Sequence, residues 1–178
     1  KGQGISYCAT CDAKYFVDKE VVVIGGGNSA IEEADFISKF ASKITIVHQF
    51  DQLQANKTAQ EKAVANPKIS FLLSHEPRAF KKDGDKMVVE VEDLKTGEKK
   101  ILTTDGIFVF IGQKPNLEIF GGQLELDQWG YIKTDEDKRT NISDVFAVGD
   151  VTSKKYRQIT TAIADGTIAA IAITREIG

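Results

Sequence analysis

Short apolar segments alternate with amphipathic ones through the first part of the chain. The apolar segments are rich in β-branched side chains, which is typical of strands buried on both faces of a parallel sheet. These predicted strands are residues 21–24, 43–47 and 69–73. Residues 28–40 carry apolar side chains at roughly helical spacing, and residues 58–65 predict a shorter helix that ends before Asn66-Pro67. Strand, helix and strand over about thirty residues form a βαβ unit.

The pattern changes after this unit. Three short segments with partly alternating polarity predict an antiparallel meander, with turns at Asp83-Gly84-Asp85 and Lys95-Thr96-Gly97. The meander strands are residues 78–80, 86–92 and 99–103. A further buried strand is predicted at 106–111, and the opening residues 1–6 predict a loop.

The section after Gly112 is irregular, and we place a domain boundary there. Within residues 113–178 the pattern predicts a buried strand at 145–148 and a long, mostly buried helix at 158–176. The predicted fold class is therefore α/β, with a Rossmann-like nucleotide-binding domain in residues 1–112 and a second segment in residues 113–178.

Composition and charge exclude several classes of function. The 178 residues are 42% hydrophobic and 28% charged, as in an ordinary globular protein. The net charge of −3 gives no reason to expect nucleic acid as a partner. No apolar run reaches the ~18 residues of a membrane span, and no secretory signal opens the chain. We expect a cytoplasmic protein.

A phosphate-binding type of turn follows the first predicted strand. Gly25, Gly27 and Ala30 fit the G-x-G-x-x-G/A fingerprint, in which the glycines permit a tight turn and a close approach to a pyrophosphate. The strand before it, the helix after it and the second strand favour a dinucleotide site over a glycine-rich loop that only packs. No acid or arginine directly follows the second strand, where ribose specificity is usually determined; Asp51 is either a ribose ligand or a solvated side chain.

The chain has only two cysteines, and they form a C-x-x-C pair directly before Asp12. This spacing lets both sulfurs share one bond, and Asp12 suits a proton donor for a leaving thiolate. A zinc site would need four ligands, and His48 and His75 are too far apart for a zinc-finger half-site, so we predict no metal. A buried, inert cysteine pair is the remaining alternative.

These motifs together resemble the bacterial low-molecular-weight thioredoxin reductases over essentially all of the chain. Several motifs stand in the order of that family: Tyr7-Cys8-Ala9-Thr10-Cys11-Asp12, the segment from Val23 to Ala34, Ile111-Gly112-Gln113-Lys114-Pro115-Asn116, Gly122-Gln123-Leu124-Glu125-Leu126, Val145-Phe146-Ala147-Val148-Gly149-Asp150-Val151 and Tyr156-Arg157-Gln158.

The resemblance implies a division of roles among these residues. Cys8 and Cys11 would form a redox-active disulfide, with Cys11 facing the flavin of FAD, Cys8 attacking the disulfide of thioredoxin or a thioredoxin-like protein, and Asp12 acting as general acid. The residues implied in holding the nicotinamide dinucleotide are Gly25, Gly26, Gly27, Asn28, Ser29, Ala30 and Glu32. Further residues expected to bind a cofactor are His48, Gln49, Ile111 and Gly112. Those implied near FAD are Gly149, Asp150, Arg157, Gln158 and Ile159. The family also implies a homodimer.

Two departures from the family's pattern change what we expect. Gln49, Phe50 and Gln54 stand where members that use NADPH carry arginines, so NADH is the expected donor ahead of NADPH, with reduced ferredoxin as an alternative. The sequence also lacks the family's N-terminal flavin half, so we expect a fragment that by itself binds FAD weakly or not at all. A related flavoprotein reductase with another acceptor, and a nucleotide-binding relative without dithiol turnover, are the other candidate functions.

Overall fold

The computed structural model describes residues 4–178, and the chain divides into two compact units, Lys1–Gly112 and Gln113–Gly178. The first unit is built on a five-stranded sheet with the order β1-β8-β2-β3-β4, and every neighbouring pair in it is parallel. Its strands are β1 (Ile5–Ser6), β2 (Glu20–Ile24), β3 (Lys43–His48), β4 (Ile69–Leu73) and β8 (Gly106–Val109).

Both faces of this sheet are covered, as the continuous apolar runs predict. Along β2, Val21 and Val23 pack into a core with the helices, whereas Val22 and Ile24 pack into a core with the antiparallel sheet. The helices on the first face are α1 (Ala9–Asp12), α2 (Asn28–Ile37) and α3 (Lys57–Ala65). Because side chains alternate along a strand, one short segment supplies both cores.

The antiparallel sheet on the second face is the predicted meander. It has the order β5-β6-β7, and its strands are β5 (His75–Asp83), β6 (Lys86–Asp93) and β7 (Lys99–Thr104). Met87, Val89 and Val91 of β6 are buried against the parallel sheet. The α/β fold class and the inserted meander are thus confirmed.

The start of the chain differs from the loop predicted for residues 1–6. Residues 1–3 lie outside the described part of the chain, but Ile5 and Ser6 form the edge strand β1, paired with Ile107 and Phe108 of β8. A two-residue strand is too short to show a period, so the sequence pattern could not reveal it. The strand predicted at 106–111 ends earlier, at Val109.

The second unit has little regular structure besides its last helix. A small core is formed by Leu124, Ile132 and Ala147. The buried strand predicted at 145–148 is wrong: Phe146 makes only an isolated bridge with Arg139, and Val145 and Val148 are exposed. An apolar run becomes a strand only where neighbouring backbone pairs along its length, and here, within the described residues, the pairing is limited to the hydrogen bonds from Thr140 N–H to Val145 and from Ala147 N–H to Lys138.

The long terminal helix is present, as α4 (Ile159–Ile177), but its predicted burial is wrong. Only Asp165, Ala169 and Ala172 are buried, while Ile159 and Ile177 are 81% and 80% exposed. The apolar composition of this segment predicted its burial, but the rest of the second unit covers only a narrow stripe of the helix. None of the helices in residues 4–178 combines the length and the apolar character needed to cross a membrane.

The turn between β2 and α2 contains two glycines that differ in backbone conformation and in the space around them. Gly25 has a φ of +130°, and a Cβ there would lie 2.3 Å from the carbonyl oxygen of Phe110. Gly27 has an extended backbone with a φ of −84°, and a Cβ there would meet nothing within 4 Å. The two glycines therefore have different constraints.

We expect Gly25→Ala to lower the free energy of unfolding by at least about 1–3 kcal/mol, because it adds backbone strain and a clash with fixed backbone. The matched variant Gly27→Ala should lose less than about 1 kcal/mol, the scale of a changed helix N-cap. Urea unfolding followed by circular dichroism measures both. Equal losses would contradict the distinction between the two positions.

Candidate functional site

The two cysteines form a disulfide at the start of α1. Their Cα atoms are 5.4 Å apart, and Cys8 is the helix N-cap, with its Sγ accepting a hydrogen bond of 3.2 Å from the Cys11 backbone N–H. Cys11 is exposed and Cys8 is half-buried. Ala9 and the following Ala13 are buried in the core that also contains Ala30 and Ile31 of α2. The disulfide thus sits on an element anchored in the core, and Cys11 is the more exposed of the two cysteine residues.

Asp12, the last residue of α1, is held by Ser6 of the edge strand. The Ser6 hydroxyl donates to Asp12 Oδ2 at 2.6 Å, and the Cys8 backbone N–H donates to the same hydroxyl at 3.1 Å. Ser6 is buried. The sequence prediction did not include Ser6, and only its position two residues before Cys8 could have suggested it.

A cleft of about 710 Å³ opens where β2, β3 and β8 end. Ile24, His48 and Val109, the last residues of these strands, line it. The crevice at the carboxyl ends of parallel strands is where open α/β sheets bind ligands. Nine of the predicted cofactor-binding residues line this cleft: Gly25, Gly26, Gly27, Asn28, Ser29, His48, Gln49, Ile111 and Gly112.

The other two residues predicted for the dinucleotide lie elsewhere. Ala30 is fully buried beneath the turn, 3.1 Å from where a Cβ on Gly25 would stand. It fits the third position of the fingerprint, since it allows close packing of helix and strand. Glu32 lines a smaller groove with Asn56, whose Nδ2 donates to Glu32 Oε1 at 3.4 Å. Glu32 is therefore not among the residues that line the cleft.

His48 is a buried polar group in the cleft wall. Its side chain packs against Gly26, where a Cβ would come within 2.4 Å of the ring, and the ring of Phe50 meets it edge-on at 5.3 Å. Its Nε2 has no hydrogen-bond partner within residues 4–178. Burial lowers the pKa of His48, although a hydrogen bond to the backbone of Gln52 partly opposes this. A neutral imidazole with a free polar atom suits a hydroxyl-bearing ligand.

The antiparallel sheet adds lining residues that the sequence prediction missed. They are His75, Glu76, Pro77 and Phe80, all from β5. These residues follow β4 after a single residue, Ser74, whose φ is +56°. No local motif marks them, because their place at the cleft depends on how the two sheets pack.

The cleft lacks positive charge. No lysine or arginine is among its lining residues in the described chain, whereas Gln49 and Gln54 both line it. Its acid, Glu76, pairs with Arg78 at 2.7 Å. Asp51 is exposed and is not a lining residue. A ligand's phosphates would therefore be met by the backbone N–H groups at the start of α2, whose N-cap Gly27 makes no side-chain cap.

In the second unit, the residues predicted near FAD cluster at the start of α4. The Arg157 guanidinium lies 3.7 Å from the centre of the Tyr131 ring, and its Nε donates to the Asp150 carbonyl oxygen at 3.2 Å. Gln158 is the helix N-cap, so Arg157 precedes the helix instead of opening it. Ile159 and Asp150 are exposed.

Gly149 anchors this cluster through a buried carboxylate. Its N–H donates to Asp165 Oδ2 at 3.1 Å, and Lys154 binds the same oxygen at 2.7 Å. Burial alone would raise the pKa of Asp165, but the hydrogen bonds from Lys154, Gly149 and Lys138 together lower it. The exposed Asp150 side chain is therefore presented by a fixed backbone, and Gln158 and Thr161 form a capping box at the start of α4.

Comparison with known proteins places these features in a family. Residues 1–166 match the family model described as pyridine nucleotide-disulphide oxidoreductase. A thioredoxin reductase of Peptoclostridium acidaminophilum is 49% identical over 175 residues, which are 95% of this chain and 56% of that protein. The "34.2 kDa protein in rubredoxin operon" of Clostridium pasteurianum is 45% identical over 99% of this chain and 58% of its own length.

Solved structures give the same result. Thioredoxin reductase from Streptococcus pyogenes superposes with a TM-score of 0.89 at 39% identity, over 98% of this chain and 57% of that one. The enzyme from T. acidophilum gives 0.70 at 34% identity. The chain thus spans little more than half the length of the relatives it matches. The resemblance to bacterial thioredoxin reductases is confirmed, and the chain belongs to the pyridine nucleotide-disulphide oxidoreductase family.

Proposed function

We propose that this chain is the part of a thioredoxin-disulfide reductase that carries the redox disulfide and binds the nicotinamide donor. One observation supports this most directly: a C-x-x-C disulfide at a helix start shares a compact unit with a dinucleotide-type cleft. The names of the relatives give the acceptor, thioredoxin or a thioredoxin-like protein. The family resemblance adds a homodimeric assembly.

The chain's own chemistry begins once the Cys8–Cys11 disulfide is reduced by two electrons, which the donor and FAD would supply when bound. The resulting Cys8 thiolate attacks one sulfur of the acceptor disulfide, that bond breaks, and the leaving acceptor thiolate takes a proton from Asp12. Cys11 then attacks Cys8 and releases the second acceptor sulfur, which is protonated in turn. The chain returns to its disulfide, and the acceptor gains two electrons and two protons.

The cleft residues fit a nicotinamide dinucleotide. The open space at Gly27 lets a pyrophosphate reach the backbone, and the first N–H groups of α2 supply donors. The free Nε2 of His48 provides a polar contact for a ribose hydroxyl. When it is bound, this cofactor would supply a hydride. The residues of the chain would bind the cofactor through uncharged groups.

FAD fits the second cluster less completely. Gly149 and Asp150, which stand next to Arg157 and the start of α4, offer a polar edge for the ribityl and phosphate region of a flavin cofactor. Residues 113–178 provide one side of such a site. FAD would supply the electron transfer between the donor and the disulfide.

We further infer that NADH is a better donor than NADPH. Charge-assisted hydrogen bonds from arginines bind a 2′-phosphate strongly, and the positions that would carry them hold Gln49, Phe50 and Gln54. Glu76 adds the only carboxylate among the described lining residues. The cleft therefore offers a 2′-phosphate no charge to pair with.

The role of the dithiol predicts a separation of two half-reactions. In the FAD-loaded full-length protein, Cys8→Ser should abolish thioredoxin reduction, because the attacking sulfur is gone, while the donor still reduces the flavin at the normal rate. Stopped-flow absorbance of the flavin and a coupled thioredoxin assay measure the two steps. Thr10→Ser, an exposed change between the cysteines, is the control. Turnover that survives in Cys8→Ser would make the dithiol a bystander.

The donor preference predicts the outcome of a titration. NADH should bleach the flavin at least about tenfold faster than NADPH at equal, subsaturating concentration, since each missing charge-assisted hydrogen bond is worth about 1.5–3 kcal/mol. The variant Gln49→Arg/Gln54→Arg should improve NADPH, whereas Gln52→Arg, which adds a charge outside the cleft lining, should not.

Equal rates with both nucleotides would contradict the proposed preference. Reduction by neither nucleotide, together with rapid reduction by reduced ferredoxin, would replace the nicotinamide donor altogether.

A further inference from the structure

We propose that Ser6 is a positioning residue that supplies Asp12 with a hydrogen-bond partner in both of its protonation states. This inference rests on the proposed dithiol chemistry, in which Asp12 alternately carries and gives up a proton. The contacts that support it are those between β1 and the residues of α1 and its N-cap. No role for Ser6 follows from the cysteine motif itself.

The contacts of Ser6 join three parts of the site. Its Oγ lies 2.6 Å from Asp12 Oδ2 and 3.3 Å from the Cys8 carbonyl oxygen. The Cys8 backbone N–H donates to the same Oγ at 3.1 Å. Among residues 4–178, Ser6 is the side chain that hydrogen-bonds the Asp12 carboxyl group. One hydroxyl therefore connects the proposed acid to the backbone of the proposed attacking cysteine.

A hydroxyl can serve both forms of a carboxyl group because it has one donor and two acceptor positions. When Asp12 is ionised, the Ser6 O–H donates to Oδ2, and one lone pair accepts from the Cys8 N–H. When Asp12 is protonated, its own O–H donates to Ser6 Oγ, and the Ser6 proton turns to the Cys8 carbonyl oxygen. The Ser6 hydroxyl, Asp12 Oδ2 and the Cys8 N–H stay paired in both arrangements.

The sheet fixes Ser6 where this exchange needs it. Ser6 is 4% exposed and pairs with Phe108 of β8, so its backbone is held by the edge of the parallel sheet. Leaving a buried polar group without a hydrogen-bond partner carries a free-energy cost. Without this hydroxyl, Asp12 would lack this hydrogen-bond partner as it gains and loses its proton, and the state without a partner would be destabilised.

The test uses two substitutions of the same shape. Ser6→Thr keeps the hydroxyl and Ser6→Val removes it, while both are β-branched residues that suit a strand. In the FAD-loaded full-length protein, we expect Ser6→Val to lower kcat for thioredoxin reduction about tenfold with KM unchanged, less than the roughly hundredfold or greater effect of losing a general acid. Ser6→Thr should retain activity within about twofold of wild type.

A double-mutant cycle shows whether Ser6 acts through Asp12. In an Asp12→Asn background, Ser6→Val should have no further effect on kcat, because the carboxyl group it serves is gone. Flavin reduction by the donor should be normal in every variant. Ser42→Ala, which removes an exposed hydroxyl bonded to the Asp18 carbonyl oxygen, is the control.

A second readout does not depend on FAD. In the full chain, dithiothreitol reduces Cys8–Cys11 by two electrons and is itself oxidised to its cyclic disulfide; alkylation and mass spectrometry follow the rate. Ser6→Val should slow this reduction, and Ser6→Thr should not. Equal rates for Thr and Val, or a Ser6→Val loss that persists unchanged in Asp12→Asn, would overturn the proposal. Survival of turnover in Cys8→Ser would instead overturn the proposed function.

Discussion

The burial of β2 on both faces is the constraint on which the first unit depends. Its alternate side chains, Val21 and Val23 on one side and Val22 and Ile24 on the other, supply two separate cores. The helices and the antiparallel sheet bury their apolar faces against this strand and its two neighbours, β3 and β8. Because the strand is central and parallel to both neighbours, its carboxyl end opens into the crevice that the lining residues share.

The same constraint explains why local sequence predicted this unit well and the second unit poorly. A strand buried on both faces is a continuous apolar run, and a helix against it is amphipathic, so residues 20–37 carry their structure in their own pattern. For α4 the apolar pattern predicted the helix correctly but not its burial, since burial depends on what covers Ile159 and its neighbours. Burial depends on the surface that covers a helix, and the sequence pattern of the helix gives no information about that surface.

The cleft shows the same limit at the level of single residues. Gly25, Gly27 and His48 lie at or just after strand ends, and their place was predictable because the carboxyl ends of parallel strands meet at one edge. His75, Glu76 and Phe80 reach that edge only because the second sheet packs across the first, and sequence neighbours give no sign of it. Glu32, predicted from motif position, lies in another groove, because the helix turns it away from the strand ends.

The two candidate sites of the first unit differ in the charged and uncharged groups that they present. At the cleft, uncharged glutamines and a desolvated, neutral His48 leave recognition to backbone N–H groups and single polar atoms. At the disulfide, the proposed chemistry requires the Asp12 carboxyl group to change its charge during each turnover. A partner with fixed charge, such as lysine, would stabilise one form of Asp12 strongly and oppose the other. A hydroxyl has no such bias, since it reverses its donor role at little cost. In the proposed chemistry, the edge strand β1 would thus bring a rotatable hydroxyl, and not an ion, to Asp12.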